Sequence, residues 1–122
     1  MHRTGFAIAL ASAVVLAQAA ASHAARAAWP RDPAVNLPVC TEPHHASWIR
    51  SAADAAGGAY FVWEDIRGLD RDIYAQHVLA SGSVDGAWPA DGLPVCIAAG
   101  DQRRPSICSD GAGGAFVAWE DA

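Results

Sequence analysis

A block of this chain returns at a fixed distance of 56 residues. Leu37-Pro38-Val39-Cys40 recurs as Leu93-Pro94-Val95-Cys96, Gly57-Gly58-Ala59-Tyr60 as Gly113-Gly114-Ala115-Phe116, and Trp63-Glu64-Asp65 as Trp119-Glu120-Asp121. Between positions 37–65 and 93–121, 12 of 29 residues are identical. Trp29-Pro30 also returns as Trp88-Pro89, with Pro33, Ala34 and Val35 as three extra residues in the first copy. A period of this size is the mark of a repeat architecture, in which one unit cannot bury its own hydrophobic faces and leans on its neighbours.

The N-terminus is of another kind. His2 and Arg3 precede an Ala/Val/Leu/Ile run, Phe6 to Ala21, interrupted by Ser12 and Gln18. The run is short for a membrane span and is followed by small-x-small sites, Ser22-His23-Ala24 and Ala25-Arg26-Ala27, so residues 1–27 read as a signal peptide with cleavage after Ala24 or Ala27. The expected location is secreted or periplasmic, with no membrane span after signal removal. The remaining 95 or so residues carry Arg31, Arg50, Arg67, Arg71, Arg103 and Arg104 against all 13 acids, 6 − 13 = −7, and no lysine. Without a basic stripe, nucleic acid and anionic lipid are excluded as expected partners. Export permits disulfides. Cys40 and Cys96 are equivalent repeat positions, Cys108 is not, and Cys96–Cys108 is the candidate bridge, with three buried thiols as the alternative.

Helical periodicity is nearly absent from the chain after the signal region. Short apolar runs bounded by Gly, Pro, Asp and Ser point to strands. Ser47–Ala53 reads as a strand, Asp54 to Gly58 as a hairpin turn, and Ala59–Glu64 as the strongest strand, apolar on both faces and so placed inside a layered structure. Asp72–Ala80 and Leu93–Ile97 follow, and the pattern restarts at Pro105. Trp29, Trp63, Trp88 and Trp119 read as core or inter-unit packing. Four antiparallel strands in about 50–56 residues is the content of one β-propeller blade, with a β-solenoid as the competitor.

Trp63-Glu64-Asp65-Ile66-Arg67-Gly68 followed by Asp72-Ile73-Tyr74-Ala75-Gln76 resembles the tandem propeller-type repeats of secreted bacterial proteins, in which a W-x-D-x-R hairpin leads into a D-I-Y-A-Q strand. It is similar also to the blade hairpin of the Tol-system periplasmic propellers. The resemblance covers residues 29–122 and implies a fold without naming an activity. The S-x-D-x-G-x-x-W box of sialidase-like propellers is missed, since Ala52 and Cys108 stand where its serine would be and Ser109 is adjacent to Asp110.

Several groups carry candidate chemistry. Glu64, Asp65, Asp70 and Asp72 gather four carboxylates that could hold Ca²⁺, but Arg67 and Arg71 are interleaved and the loop reads as solvated and ion-paired. As a glycosidase pair they are disfavoured by recurrence, because Glu120-Asp121 repeats Glu64-Asp65 and a catalytic group is needed only once. His44-His45 with His77 is a weak transition-metal set, since adjacent residues of a strand face opposite ways. Trp48, whose repeat counterpart is Arg104, is the candidate ligand contact, an aromatic platform of the kind that binds glycans. No catalytic triad, phosphate loop or dinucleotide motif is present.

The expectation is an all-β chain of β-propeller-like blades: signal peptide 1–27, lead-in with a closing-strand segment 28–46, a first blade of four antiparallel strands 47–97, and a partial second blade 98–122. Its expected function is that of a non-catalytic scaffold or binding surface without cofactors, the N-terminal part of a longer protein. Expected partners are further blades, a second copy, or an extracellular protein or glycan. The alternative is part of a glycan-active, sialidase-like propeller enzyme whose catalytic residues lie in other blades.

Overall fold

The computed structural model describes residues 29, 30 and 32–122. The apolar N-terminal run and both cleavage sites lie outside the described residues. Within them there is no helix, and so none long and apolar enough to cross a membrane. Six strands form two antiparallel sheets. Strands β1 (Ala46–Ala53), β2 (Ala59–Asp65), β3 (Asp72–Val78) and β4 (Leu93–Cys96) lie side by side in sequence order, and β5 (Gln102–Ser109) pairs with β6 (Ala115–Asp121) in a second, two-stranded sheet.

Turn chemistry sets the strand ends. The Asp54 amide donates to the Gly58 carbonyl, while the Asp54 carboxylate accepts the amides of Ala56 and Gly58, each at 2.8 Å. Aspartate folds its side chain onto the backbone in this way, and Gly57 at φ 96° takes the left-handed step. β3 ends at Val78 rather than Ala80 because Leu79 turns the chain, pairing with Ser83 and with Gly82. β5 starts at Gln102, three residues before the expected Pro105, because the Gln102 amide donates to the Arg71 carbonyl. Pro105 falls in a bulge between Arg103 and Ser106, a position in a strand that tolerates a missing N–H.

The β5–β6 hairpin reproduces β1–β2 residue for residue at the 56-residue offset. Ala46 pairs with Asp65 and Gln102 with Asp121; Ala53 pairs with Ala59 and Ser109 with Ala115. Both hairpins bulge at the same place, with Trp48 at φ 53° and Arg104 at φ 51°. In the second turn Asp110 accepts the amides of Ala112 and Gly114 as Asp54 accepts those of Ala56 and Gly58.

The sheets stack face to face. Register puts Tyr60, Val62 and Glu64 on one side of the first sheet with Ile73, Ala75 and His77, here the front. Phe61 and Trp63 share the back. β5 crosses the first sheet against β1, β2 and β3, and Ile107 and Val117 pack on the core of Val62, Ile73 and Ala75. Val117 is the counterpart of Phe61, a back-face residue. The front of the first sheet therefore meets the back of the second. Val62 is fully buried and Trp63 is 2 % exposed, so β2 is covered on both faces. Phe61, on the strand expected inside a layered structure, is only half-buried, and Trp29 and Trp119, expected as core or inter-unit packing, are exposed, because no layer covers them among the described residues.

Candidate functional site

The acidic end of β2 is where the chain concentrates its buried charge. Glu64 and Asp65 are nearly fully buried, against the expectation of a solvated loop. As neighbours on a strand they face opposite ways. On the back, Asp65 accepts from Trp63 Nε1 at 2.9 Å, from the Arg67 amide at 2.9 Å and from Arg67 Nη2 at 2.6 Å. Burial pushes its pKa up, but the Arg67 and Trp63 hydrogen bonds outweigh this and hold it below the ordinary value. Arg67 lies over the Tyr74 ring at 3.8 Å and donates to the Asp91 carbonyl at 2.7 Å. Asp91 in turn accepts the amide and hydroxyl of Thr41. This chain of contacts pins the lead-in segment to the back of the first sheet.

On the front, Glu64 reaches the second sheet. Its Oε1 accepts the backbone amide of Arg104 at 2.6 Å, and its Oε2 lies 3.2 Å from both Arg71 Nη1 and Ser47 Oγ. The left-handed bulge at Arg104 turns that amide out of the β5–β6 ladder and toward the carboxylate. Arg71 and Asp101 add a second tie, the Arg71 amide donating to Asp101 Oδ1 at 3.0 Å. Glu64 thus joins the two sheets.

A third charged group closes the other end of the same interface. His77 on β3 has Nδ1 2.9 Å from Asp85 and Nε2 2.9 Å from Asp54. Ionised carboxylates only accept, so both contacts are satisfied together when the ring carries a proton on each nitrogen. Burial lowers the His77 pKa, but the bonds to Asp54 and Asp85 more than reverse this and leave it raised. The Asp54 pKa is lowered, by His77 first of all; that of Asp85 is lowered by the Ala87 amide and then by His77. The ring stacks on Tyr60 with centroids 4.3 Å apart, and the Tyr60 hydroxyl donates to the Gly113 carbonyl of the second hairpin at 2.8 Å. Between them lies an apolar cleft of about 230 Å³ lined by Tyr60, Ala75, Trp88, Val95, Ile107 and Val117. A second groove, of about 380 Å³, lies on the back of the first sheet, lined by Val39, Cys40, Ile49, Phe61 and Trp63 among others.

The four acidic candidates for Ca²⁺ do not converge. Glu64 and Asp65 are turned apart and bound to arginines, Asp70 is exposed and accepts the Gly100 amide, and burial followed by the Asp70 and Asp65 charges raises the pKa of Asp72. No group of three or more His, Cys, Asp or Glu stands ready for a metal ion among the described residues. His44 and His45 are exposed, away from the clamped His77. Cys40, Cys96 and Cys108 are free thiols; Cys96 and Cys108 sit on strands of different sheets rather than on neighbours. Trp48 is 49 % exposed, with the Arg50 and Arg104 guanidinium groups 5.5 and 5.8 Å from its ring centroid. The Asp54–His77–Asp85 clamp is not legible in the sequence, because its three members are scattered along the chain. The recurrence of Glu64 as Glu120 is legible, but not that the Glu64 carboxylate bridges two sheets. No family model, no curated protein and no solved structure matches this chain.

Proposed function

We propose that the chain is a β-propeller-type repeat segment of an exported protein, resembling secreted bacterial propeller repeats, and that it acts as a non-catalytic scaffold or binding surface. The observation that carries this reading is the head-to-tail order of its sheets. Two hairpins of one register meet front to back, and an interface of that kind generates a ring or an open stack rather than a closed pair. A propeller is the ring form for four-stranded sheets. Glu64 and Asp65, the carboxylates weighed as a glycosidase pair, are held in structural contacts: Glu64 joins the sheets and Asp65 holds Arg67. That favours binding over turnover. The exposed Trp48, flanked by Arg50 and Arg104, offers an aromatic, cationic contact for an extracellular ligand.

The test is expression of the chain from Met1 in a bacterial host with analysis of the exported fraction. The N-terminus recovered there should fall between Ala24 and Trp29, and the purified protein should release no chromophore from a panel of chromogenic glycosides. An intact Met1 in the cytoplasm would contradict export. Hydrolysis abolished by Glu64→Gln in a folded protein would contradict a non-catalytic role.

A further inference from the structure

The interface between the two sheets has half of its parts left over on each side. The front of the first sheet supplies Tyr60 and Glu64; the back of the second supplies Ile107, Val117 and the outward-turned amide of Arg104. At the 56-residue offset, the front of the second sheet carries Phe116 and Glu120 in the places of Tyr60 and Glu64. Phe116 is 66 % exposed, and Glu120 is exposed, its one side-chain contact among the described residues being the surface pair with Arg104. The back of the first sheet carries Phe61 in the place of Val117 and Trp48, at φ 53°, in the place of Arg104. Its groove uses Val39 and Phe61 where the cleft between the two sheets uses Val95 and Val117.

The geometry points to a second copy of this chain as the occupant: the front of one molecule's β5–β6 sheet docks on the back of the next molecule's β1–β4 sheet. Phe116 enters the groove lined by Val39, Ile49 and Phe61, and Glu120 accepts the Trp48 amide as Glu64 accepts that of Arg104. The internal interface is the template, since it sets the front of one hairpin against the back of the other with Tyr60 and Glu64 at the register positions of Phe116 and Glu120. The contact is heterologous, so each copy offers one donor face and one acceptor face and assembly runs head to tail. This inference rests on the head-to-tail packing read above.

Two exposed substitutions block the faces separately: Phe116→Glu on the front and Ile49→Glu on the back. Light scattering coupled to size exclusion should show the unaltered chain growing in mass with concentration. Each variant alone should be monomeric, its self-affinity lowered at least about tenfold. Mixed, the two should form a one-to-one dimer through the remaining good front and good back, and go no further. Self-association of either variant alone would overturn the proposal, since it indicates an isologous contact. A monomeric unaltered chain would overturn the second copy as occupant even if Phe116 binds a hydrophobic dye. Amide exchange of Arg104 separates the two levels. A protected Arg104 amide with no pairing of the variants sinks the docking alone, whereas an unprotected one sinks the internal packing and the docking with it.

Discussion

Hairpins β1–β2 and β5–β6 have the same register, the same bulge and the same aspartate turn, and yet opposite surroundings. Trp63 is 2 % exposed and its counterpart Trp119 is 36 % exposed; the Glu64 side chain is 2 % exposed and that of Glu120 is 60 % exposed. β2 has β3 on its free edge, the second sheet on its front and the lead-in on its back. Beyond its hairpin partner β5, β6 has a neighbour only on its inner face among the described residues. Local geometry therefore follows the turn residues that both copies carry, Asp54 with Gly57 and Asp110 with Gly113, while burial is conferred by neighbours. A pair of equivalent residues in one molecule separates the two contributions without a second protein.

The largest difference should come from the tryptophans. Trp63→Ala should cost about 3–5 kcal/mol, the range for removing a buried aromatic side chain, and Trp119→Ala well under half of that, both read as shifts of the urea midpoint. Equal costs would mean that β6 is covered as β2 is. The glutamates come next. Glu64→Ala leaves the Arg104 amide and Arg71 without their acceptor, and hydrogen bonds to charged groups of this kind contribute about 1.5–3 kcal/mol. Glu120→Ala breaks a surface pair and should stay within about 0.5 kcal/mol. A melt in which the second sheet loosens before the first in Glu64→Ala would sharpen the comparison further.

The Asp54–His77–Asp85 clamp makes stability depend on pH. His77 has a folded-state pKa raised above the ordinary 6.5, so its contribution is fully present below that value and fades as pH rises through the raised one. Asp54 and Asp85 have pKa values lowered from 3.8, so theirs is present above 3.8 and fades as pH falls through the lowered ones. The urea midpoint should be highest between these limits. His77→Phe, which keeps a ring against Tyr60 and Trp88, should flatten the alkaline side. An unaltered alkaline fall in that variant would assign it to another group.

The smallest effect lies in the turns. Ala55 adopts φ 64° where the second turn has Gly111 at φ 78°. A left-handed conformation costs a non-glycine residue about 1–2 kcal/mol, partly offset by the freedom glycine gains on unfolding. Ala55→Gly should raise stability by less than about 1 kcal/mol, and Gly111→Ala should lower it by a similar amount, both measured by thermal melts.

Strand positions, the first turn and the double burial of β2 were legible in the sequence because each rests on neighbours in the chain: alternating apolar residues, Asp54 with Gly57, and the Phe61–Trp63 run. The bulges were not, since nothing in Trp48 or Arg104 announces a positive φ. Nor was the fate of the acidic loop, whose carboxylates look solvated until the second sheet brings the Arg104 amide to Glu64. The His77 clamp depends on Asp54 and Asp85, which the hairpins, and not any local pattern, carry to the same ring. Gly92 is a further case. At φ 105°, with a side chain there meeting the Trp63 ring at 2.7 Å, it looks in the sequence like any turn glycine.

Front-to-back packing of two equivalent hairpins can be tested most directly by nuclear Overhauser contacts between the sheets of the full chain under dilute conditions. Methyl groups of Val62 and Ile73 should show contacts to those of Ile107 and Val117, and the Phe116 ring should show none to either. Contacts from Phe116 to Val62 or Ile73 would mean that the second sheet packs by its other face, and their absence from all four methyl-bearing residues would mean that the two sheets do not stack.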